Sequence, residues 1–444
     1  MNITMFFNQK IKASIPEDII NKYYREYGYH KPICNAPLAS LYFFPDGDVS
    51  ACCLNKSYYS YGHYPEDSIK KIIQSKNRTK HQHYLTNNNF SLGCGVCEEN
   101  LCSENFAGLL INGLRNIAEG KQITKMDFEL SHLCNFDCIM CHKDKNLIDT
   151  VYDDRFVSMI HPYLLNIKYA TFLGGEPFLI PVYYKIWEII TTRNKQCELT
   201  AITNGSILND KVAKLARHPH FYIGISLDSI NEETYAAIRV NGELKKTLKN
   251  FYFFNDCMRE KNHTMGISVC PQRLNWKEMP DLVEFANQNH CFIFFNHVYY
   301  PEHLSLKYLS SSQLQTIIEY YKQALPDLPD DTELHRENLR RFNGLLNLLV
   351  KWHEDACLTK VLKSEIVLSL EPFQKEFSEV IPLVLDVLPE SFPVSRRKFN
   401  EIRQFDYRKG LMEIKDKSQM EIEKMIRSFY ELNLNESDRE GFTT

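Results

Sequence analysis

Between Lys125 and Tyr300 the chain repeats one pattern six times, a short β-like run followed by a stretch with helical spacing. The runs are MDFELS (126–131), ATFLGG (170–175), LTAITNG (199–205), YIGISLDS (222–229), MGISVCP (265–271) and CFIFFNHVY (291–299). Amphipathic patterns such as 182–193 and 244–261 lie between them. Strand followed by helix, repeated, makes parallel strands joined by right-handed crossovers. The expected fold class is therefore α/β, an open or partial (β/α)6 barrel. In such barrels the active groups gather at the C-terminal strand ends. Those ends are where polar residues and glycines interrupt the apolar runs here.

The flanks differ in texture. Residues 1–122 are rich in Cys and Tyr, with a strand-like run at 40–44 and a PDGD turn at 45–48, as expected of a small α+β module. After Pro301 the β signal stops, and 311–325, 334–353, 359–370 and 418–432 carry helical periodicity. The last residues, 433–444, read as a frayed end. Three domains follow: a cysteine-rich module (1–122), the partial barrel (123–300) and a helical C-terminal region (301–444), in keeping with 444 residues.

Charge and hydropathy exclude several classes. The net charge of −4 gives no overall positive field for nucleic acid or an anionic membrane. A local basic run at Arg78, Lys80, His81 and His83 is expected to be solvated surface. No segment approaches the ~18 apolar residues that span a bilayer, and residues 1–18 lack the pattern of a signal peptide. The expected location is cytoplasmic.

Fourteen cysteines need a reason in a reducing compartment, where clustered thiols more often bind metal than form disulfides. Nine lie between Cys34 and Cys141; Cys197, Cys257, Cys270, Cys291 and Cys357 are scattered and are expected mostly to be small buried hydrophobes. Directly after the first barrel strand, LSHLCNFDCIMCHKDKN places Cys134, Cys138 and Cys141 at C-x3-C-x2-C spacing. Three local thiolates on a four-iron cubane leave one iron open, able to chelate an amine and a carboxylate. The next cysteine downstream is Cys197, so the loop lacks a ferredoxin's fourth ligand. From the spacing alone, a zinc site completed by His142 or a purely structural cluster also fits.

The segment 125–300 resembles the radical S-adenosylmethionine (AdoMet) superfamily, whose signature is this cysteine loop. Gly174, Gly175, Glu176 and Pro177 end the second run and match the family's GGEP motif. The resemblance implies that backbone and carboxylate there accept hydrogen bonds from the AdoMet ammonium. It also implies that Thr203, Asn204 and Gly205 on the third run, and Ser226 and Asp228 on the fourth, surround the ribose and carboxylate. Arg239 would pair with that carboxylate. Where the family commonly has an aromatic residue before the third cysteine, this chain has Met140, whose softer surface can still pack on adenine. The implied cofactors are AdoMet and a 4Fe–4S cluster on Cys134, Cys138 and Cys141. The implied reaction is reductive AdoMet cleavage to a 5′-deoxyadenosyl radical that abstracts a substrate hydrogen atom, with flavodoxin or ferredoxin as electron donor.

A second resemblance lies upstream. C-x12-G-x4-C (Cys34, Gly47, Cys52) followed by C-x2-C-x4-C (Cys94, Cys97, Cys102) resembles the SPASM/twitch auxiliary-cluster module, here placed before the barrel. It implies one auxiliary 4Fe–4S cluster on Cys34, Cys52, Cys94 and Cys97, with Cys102 or Cys53 able to replace one of them. A structural zinc knuckle suits the same spacing. Enzymes of this resemblance most often modify peptides or proteins, and others act on sugars or small metabolites. A non-enzymatic iron–sulfur or zinc carrier or sensor is the rival of another class. Such a protein would not need GGEP, TNG and SLDS at successive strand ends.

Overall fold

The computed structural model describes residues 13–55, 59–118, 120, 122–142, 144, 147–387, 407–414, 417–418 and 421–422. The chain divides into two compact units, Met1–His297 with Asp327–Leu345, and Val298–Pro326 with Leu346–Thr444. The expected helix at 418–432 and the tail at 433–444 fall almost wholly outside the described residues, as do residues 1–12.

All six expected barrel strands are present: β4 (Lys125–Phe128), β5 (Tyr169–Phe172), β6 (Glu198–Thr203), β7 (Phe221–Ser226), β8 (Gly266–Val269) and β9 (Phe292–Phe295). Each pairs in parallel with the next. Helices Asp154–Leu164, Pro181–Arg193, Asp210–Ala216, Leu244–Glu260 and Met279–Gln288 make the crossovers. Several begin where the sequence offers a cap. Asp153 and Asn209 each accept from a backbone N–H of the following turn, and Asn231 does the same for the short helix Glu232–Ile238.

The upstream module does not stand apart from this sheet. Its strands β1 (Ser40–Phe43), β2 (Asp48–Ser50) and β3 (Gly62–His63) extend the same sheet in the order β3-β2-β1-β4-β5-β6-β7-β8-β9. β1 lies parallel to β4, with Ser40 opposite Lys125 and Phe43 opposite Phe128. An aromatic ladder fixes that register. Phe43 stacks on Phe128 at 5.5 Å between ring centroids, and Phe128 on Phe172 at 5.0 Å. Tyr183 and Trp187 meet Phe172 edge-on at 5.1 and 5.3 Å. Such cross-strand pairs add to the burial of large rings. The PDGD turn joins β1 to β2 as expected. Gly47 has φ +101°, and a Cβ there would lie 2.1 Å from the Tyr64 carbonyl, so only glycine fits.

At the other edge, the long helix Glu333–Leu370 replaces the two shorter ones expected at 334–353 and 359–370. Its beginning belongs to the first unit and satisfies β9. Buried Asn338 accepts from Ile293 N at 3.0 Å and donates to the Cys291 carbonyl at 2.9 Å. Arg341 donates to the Ile293 carbonyl and lies 3.8 Å over the Phe294 ring. A bare parallel edge would leave these backbone groups unpaired. In the second unit, helix Ser311–Ala324 opens on a capping box between Ser310 and Gln313. Ile366, Leu370, Phe377, Val380, Ile381, Val384, Leu411 and Ile422 form an apolar core there. Among the described residues, no helix is long and apolar enough to cross a membrane.

Candidate functional site

The three signature thiols sit on the loop after β4, and that loop is tied down from two sides. On one side lies GGEP, just past β5. Gly175 N donates to the Ser131 carbonyl at 2.9 Å and Glu176 N to the Leu133 carbonyl at 2.8 Å. The two glycines are required by this approach. A Cβ on Gly174, which has φ +112°, would lie 2.6 Å from Ser131 O, and one on Gly175 would lie 2.0 Å from Leu133 O. On the other side, Asp137 N donates to the Val240 carbonyl at 3.0 Å and Ile139 N to that of Ile238 at 3.1 Å. Arg239 is thereby held against the loop.

Glu176 is fully buried, at the N-terminus of the short turn Pro177–Leu179. Its carboxylate accepts from Thr203 Oγ1 (2.7 Å), Asn204 N (2.8 Å) and Phe178 N (3.2 Å). Burial pushes its pKa up to about 7, against the pull of those donors. Asn204 continues the chain of contacts, donating to Asn135 Oδ1 at 3.0 Å and reaching Cys134 Sγ at 3.8 Å. GGEP, TNG and the cysteine loop are thus one hydrogen-bonded unit.

Asp228 and Arg239 form a second buried unit. Arg239 Nε donates to Asp228 Oδ2 at 2.6 Å, and its Nη1 reaches Cys138 Sγ at 3.6 Å. The other Asp228 oxygen accepts from Cys270 N at 2.6 Å. Burial raises the Cys138 pKa, opposed by Arg239 and reinforced by Cys141. Ser226 ends β7 opposite Ser268, and Met140 is half-buried beside Cys141, which is exposed, as is His142.

Two groups here escape a reading of the sequence. Cys270 lies among the site residues. It directly follows β8, in electrostatic reach of Cys138, Cys141, Asp228 and Arg239, and its pKa is raised, chiefly by burial. Of the other scattered cysteines, Cys197, Cys257 and Cys291 are buried as expected and Cys357 is exposed. The strand-end rule would have singled out Cys270. The second group lies beneath the loop, where Tyr42 of β1 donates to Glu129 Oε2 at 2.8 Å. His132 lies 3.3 Å from Glu129 Oε1 and accepts from Asp144 N at 2.8 Å. No spacing motif announces it.

In the upstream module, Cys34, Cys52, Cys94 and Cys97 come together. Burial pushes Cys34 up to about 11 and Cys52 to about 12, with Cys34 adding to the latter. Cys94 and Cys97 are raised well above the ordinary thiol value by burial and then by neighbouring thiols of the same set. Four mutually opposed thiols, Cys34 and Cys97 buried and Cys52 and Cys94 half-buried, are poor thiolates alone, and a bound cationic centre inverts that balance. The donor set therefore suits a thiolate-ligated cluster. Cys53 lies beside Cys52 and within electrostatic reach of Asp127 and Glu129. Cys102 ends the helix Gly95–Cys102 that carries Cys97. Among the described residues, no three His, Cys, Asp or Glu are drawn tightly enough around one point to hold a single metal ion.

The basic run beside these thiols is not solvated surface throughout. Arg78 and His81 are buried, at 7% and 1% exposure. Arg78 donates to the carbonyls of Ile73 and Leu38. His81 lies 2.8 Å from Tyr61 Oη through Nδ1 and 3.3 Å from Cys94 Sγ through Nε2. Burial holds its pKa down at about 3. The helix Lys76–Thr86 turns these two inward against the module's interior.

Two parts of the chain are similar to known families. Residues 128–286 match the Radical SAM superfamily, and residues 34–99 match SPASM, an iron–sulfur cluster-binding domain. A GTP 3′,8-cyclase of Clostridium perfringens is 28% identical over 220 residues, covering 47% of this chain and 66% of that protein. A probable GTP 3′,8-cyclase of Methanocaldococcus jannaschii is 24% identical over 182 residues, covering 38% and 56%. The chain thus spans less than two thirds of the length of these relatives. Among solved structures, native anSMEcpe with bound AdoMet is similar at 16% identity and TM-score 0.36, covering 46% of this chain and 59% of that one. Streptococcus suis SuiB bound to precursor peptide SuiA is similar at 14% identity and TM-score 0.36, covering 46% of each. The chain carries a radical SAM domain preceded by a SPASM iron–sulfur domain.

Proposed function

We propose that this protein is a radical SAM enzyme whose AdoMet-binding 4Fe–4S cluster is held by Cys134, Cys138 and Cys141. The observation that carries the reading is the bonded unit linking GGEP, Asn204 and the cysteine loop. A structural metal knuckle has no need of it. Bound there, cluster and AdoMet supply a 5′-deoxyadenosyl radical for hydrogen abstraction. The protein's own part is placement. Gly174, Gly175, Glu176 and Pro177 face the AdoMet ammonium, and Thr203, Asn204, Ser226 and Asp228 line the ribose and carboxylate. Arg239, fixed by Asp228, offers its remaining N–H groups to the AdoMet carboxylate. Met140 packs on adenine. Cys34, Cys52, Cys94 and Cys97 hold an auxiliary 4Fe–4S cluster, with Cys102 or Cys53 as substitutes. Residues 1–122, 123–300 and 301–444 act as cluster module, catalytic barrel and helical region of a cytoplasmic enzyme reduced by flavodoxin or ferredoxin.

The substrate is a peptide or protein, a reading supported by the SPASM match upstream of the barrel. A second reading, a nucleotide or other small metabolite, is favoured by the likeness to GTP 3′,8-cyclases. Mass spectrometry after co-expression with peptides encoded beside the gene separates the two. A mass shift in such a peptide that depends on Cys134, Cys138 and Cys141 supports the first. Unmodified peptides, with GTP-dependent 5′-deoxyadenosine formation by the purified enzyme, would replace it with the second.

A further inference from the structure

The helix Lys76–Thr86 carries His81 into the interior of the cysteine module, where the ring stands between Tyr61 and Cys94. We propose that Tyr61 and His81 form a positioning pair in which His81 Nε2–H donates a hydrogen bond to the Cys94 sulfur and raises the reduction potential of the auxiliary cluster. The inference rests on the reading that Cys94 is a cluster ligand.

The argument is one of proton placement. A thiolate bound to iron carries no proton, so the 3.3 Å contact between Nε2 and Cys94 Sγ can be a hydrogen bond only if Nε2 is the donor. At 1% exposure, and with an N–H already on Nε2, the neutral ring keeps a bare Nδ1. Tyr61 Oη, 2.8 Å from Nδ1, then donates to it and fixes the tautomer. Tyr61 is itself buried and pairs with the sheet through its N–H to the Val49 carbonyl, so the phenol is held in place. Tyr59 meets the ring edge-on at 5.7 Å and closes off another side. Hydrogen bonds to cluster sulfurs withdraw electron density and favour the reduced state. The proposed ligand set Cys34, Cys52, Cys94 and Cys97 does not include His81, which stands between a phenol and one of those sulfurs.

The test uses the full chain with Cys134, Cys138 and Cys141 replaced by Ala, so that only the auxiliary site can hold iron. Redox titration followed by electron paramagnetic resonance is run with His81, His81→Leu and His81→Gln. The Leu variant is expected to shift the midpoint to more negative values, and Gln, which retains an N–H donor, to recover part of that shift. Tyr61→Phe should shift it less and in the same direction. An unchanged midpoint in a loaded His81→Leu variant would overturn the proposal. Should that variant not fold, pulsed resonance on the unsubstituted His81 protein with nitrogen-15 histidine gives the answer. A weak nitrogen coupling with one exchangeable proton supports the hydrogen bond. A strong coupling from direct nitrogen ligation, or none, refutes it. Absence of iron in the Cys134/Cys138/Cys141 variant would instead refute the auxiliary cluster itself.

Discussion

Replacing Glu176 by Ala removes an acceptor shared by the GGEP and TNG strand ends. Three donors lose it: the Thr203 hydroxyl, which can rotate, and the N–H groups of Asn204 and Phe178, which cannot. A hydrogen bond to a charged group is worth about 1.5–3 kcal/mol. At pH 8, where the Glu176 carboxyl is mostly ionised, each of the two amides should therefore exchange with solvent about ten- to a hundredfold faster. Hydrogen exchange by mass spectrometry on peptides spanning 174–182 and 199–206 reads this directly. AdoMet affinity should fall by about one to two orders of magnitude. Glu176→Gln tests the protonation. Burial raises this carboxyl from 4.5 to about 7, so the native state binds a proton more tightly than the unfolded chain does. Its contribution to stability is complete below about pH 4.5 and is lost as pH rises to about 7, roughly 3 kcal/mol in all. Gln should remove that slope. Exchange that is unaltered at both peptides in Glu176→Ala would refute the linking role given to this carboxylate.

Other consequences are equally direct. Arg239→Ala leaves Asp228 buried without its cation and should cost about 3–5 kcal/mol in denaturant unfolding, with Lys failing to reach Asp228 and Cys138 together. Gly175→Ala forces a methyl into the Leu133 carbonyl and should destabilise by about 1–3 kcal/mol, with less iron bound at the signature loop on anaerobic reconstitution. The intact protein should hold about eight irons and negligible zinc, and the variant lacking Cys134, Cys138 and Cys141 about half of that. Stoichiometric zinc in that variant would make the upstream module a structural knuckle.

Much of this architecture was legible because periodicity reports burial. Strands β4 to β9 fall within or beside the six apolar runs, and the motifs GGEP, TNG and SLDS land at their C-terminal ends. What the pattern could not reveal depends on contacts distant in sequence. The pairing of β1 with β4 rests on stacking between Phe43 and Phe128, which local texture does not distinguish from any apolar strand. The burial of Arg78 and His81 comes from partners at Leu38, Tyr61 and Cys94, so a charge count reads them as surface. Asn338 looks like an ordinary helix position until β9 presents unpaired backbone beside it. Cys270 belongs to no cysteine spacing, although its place just past β8 is like that of the other site residues at their strand ends.

The central claim is that Cys134, Cys138 and Cys141 hold the centre at which AdoMet is cleaved. The decisive measurement is 5′-deoxyadenosine formation by anaerobically reconstituted protein given dithionite and AdoMet, compared with the variant in which all three cysteines are Ala. The intact protein should form 5′-deoxyadenosine, and the variant should form none while retaining iron at the upstream module. Cleavage that persists in the variant, or none from intact protein with both clusters loaded, would contradict the account.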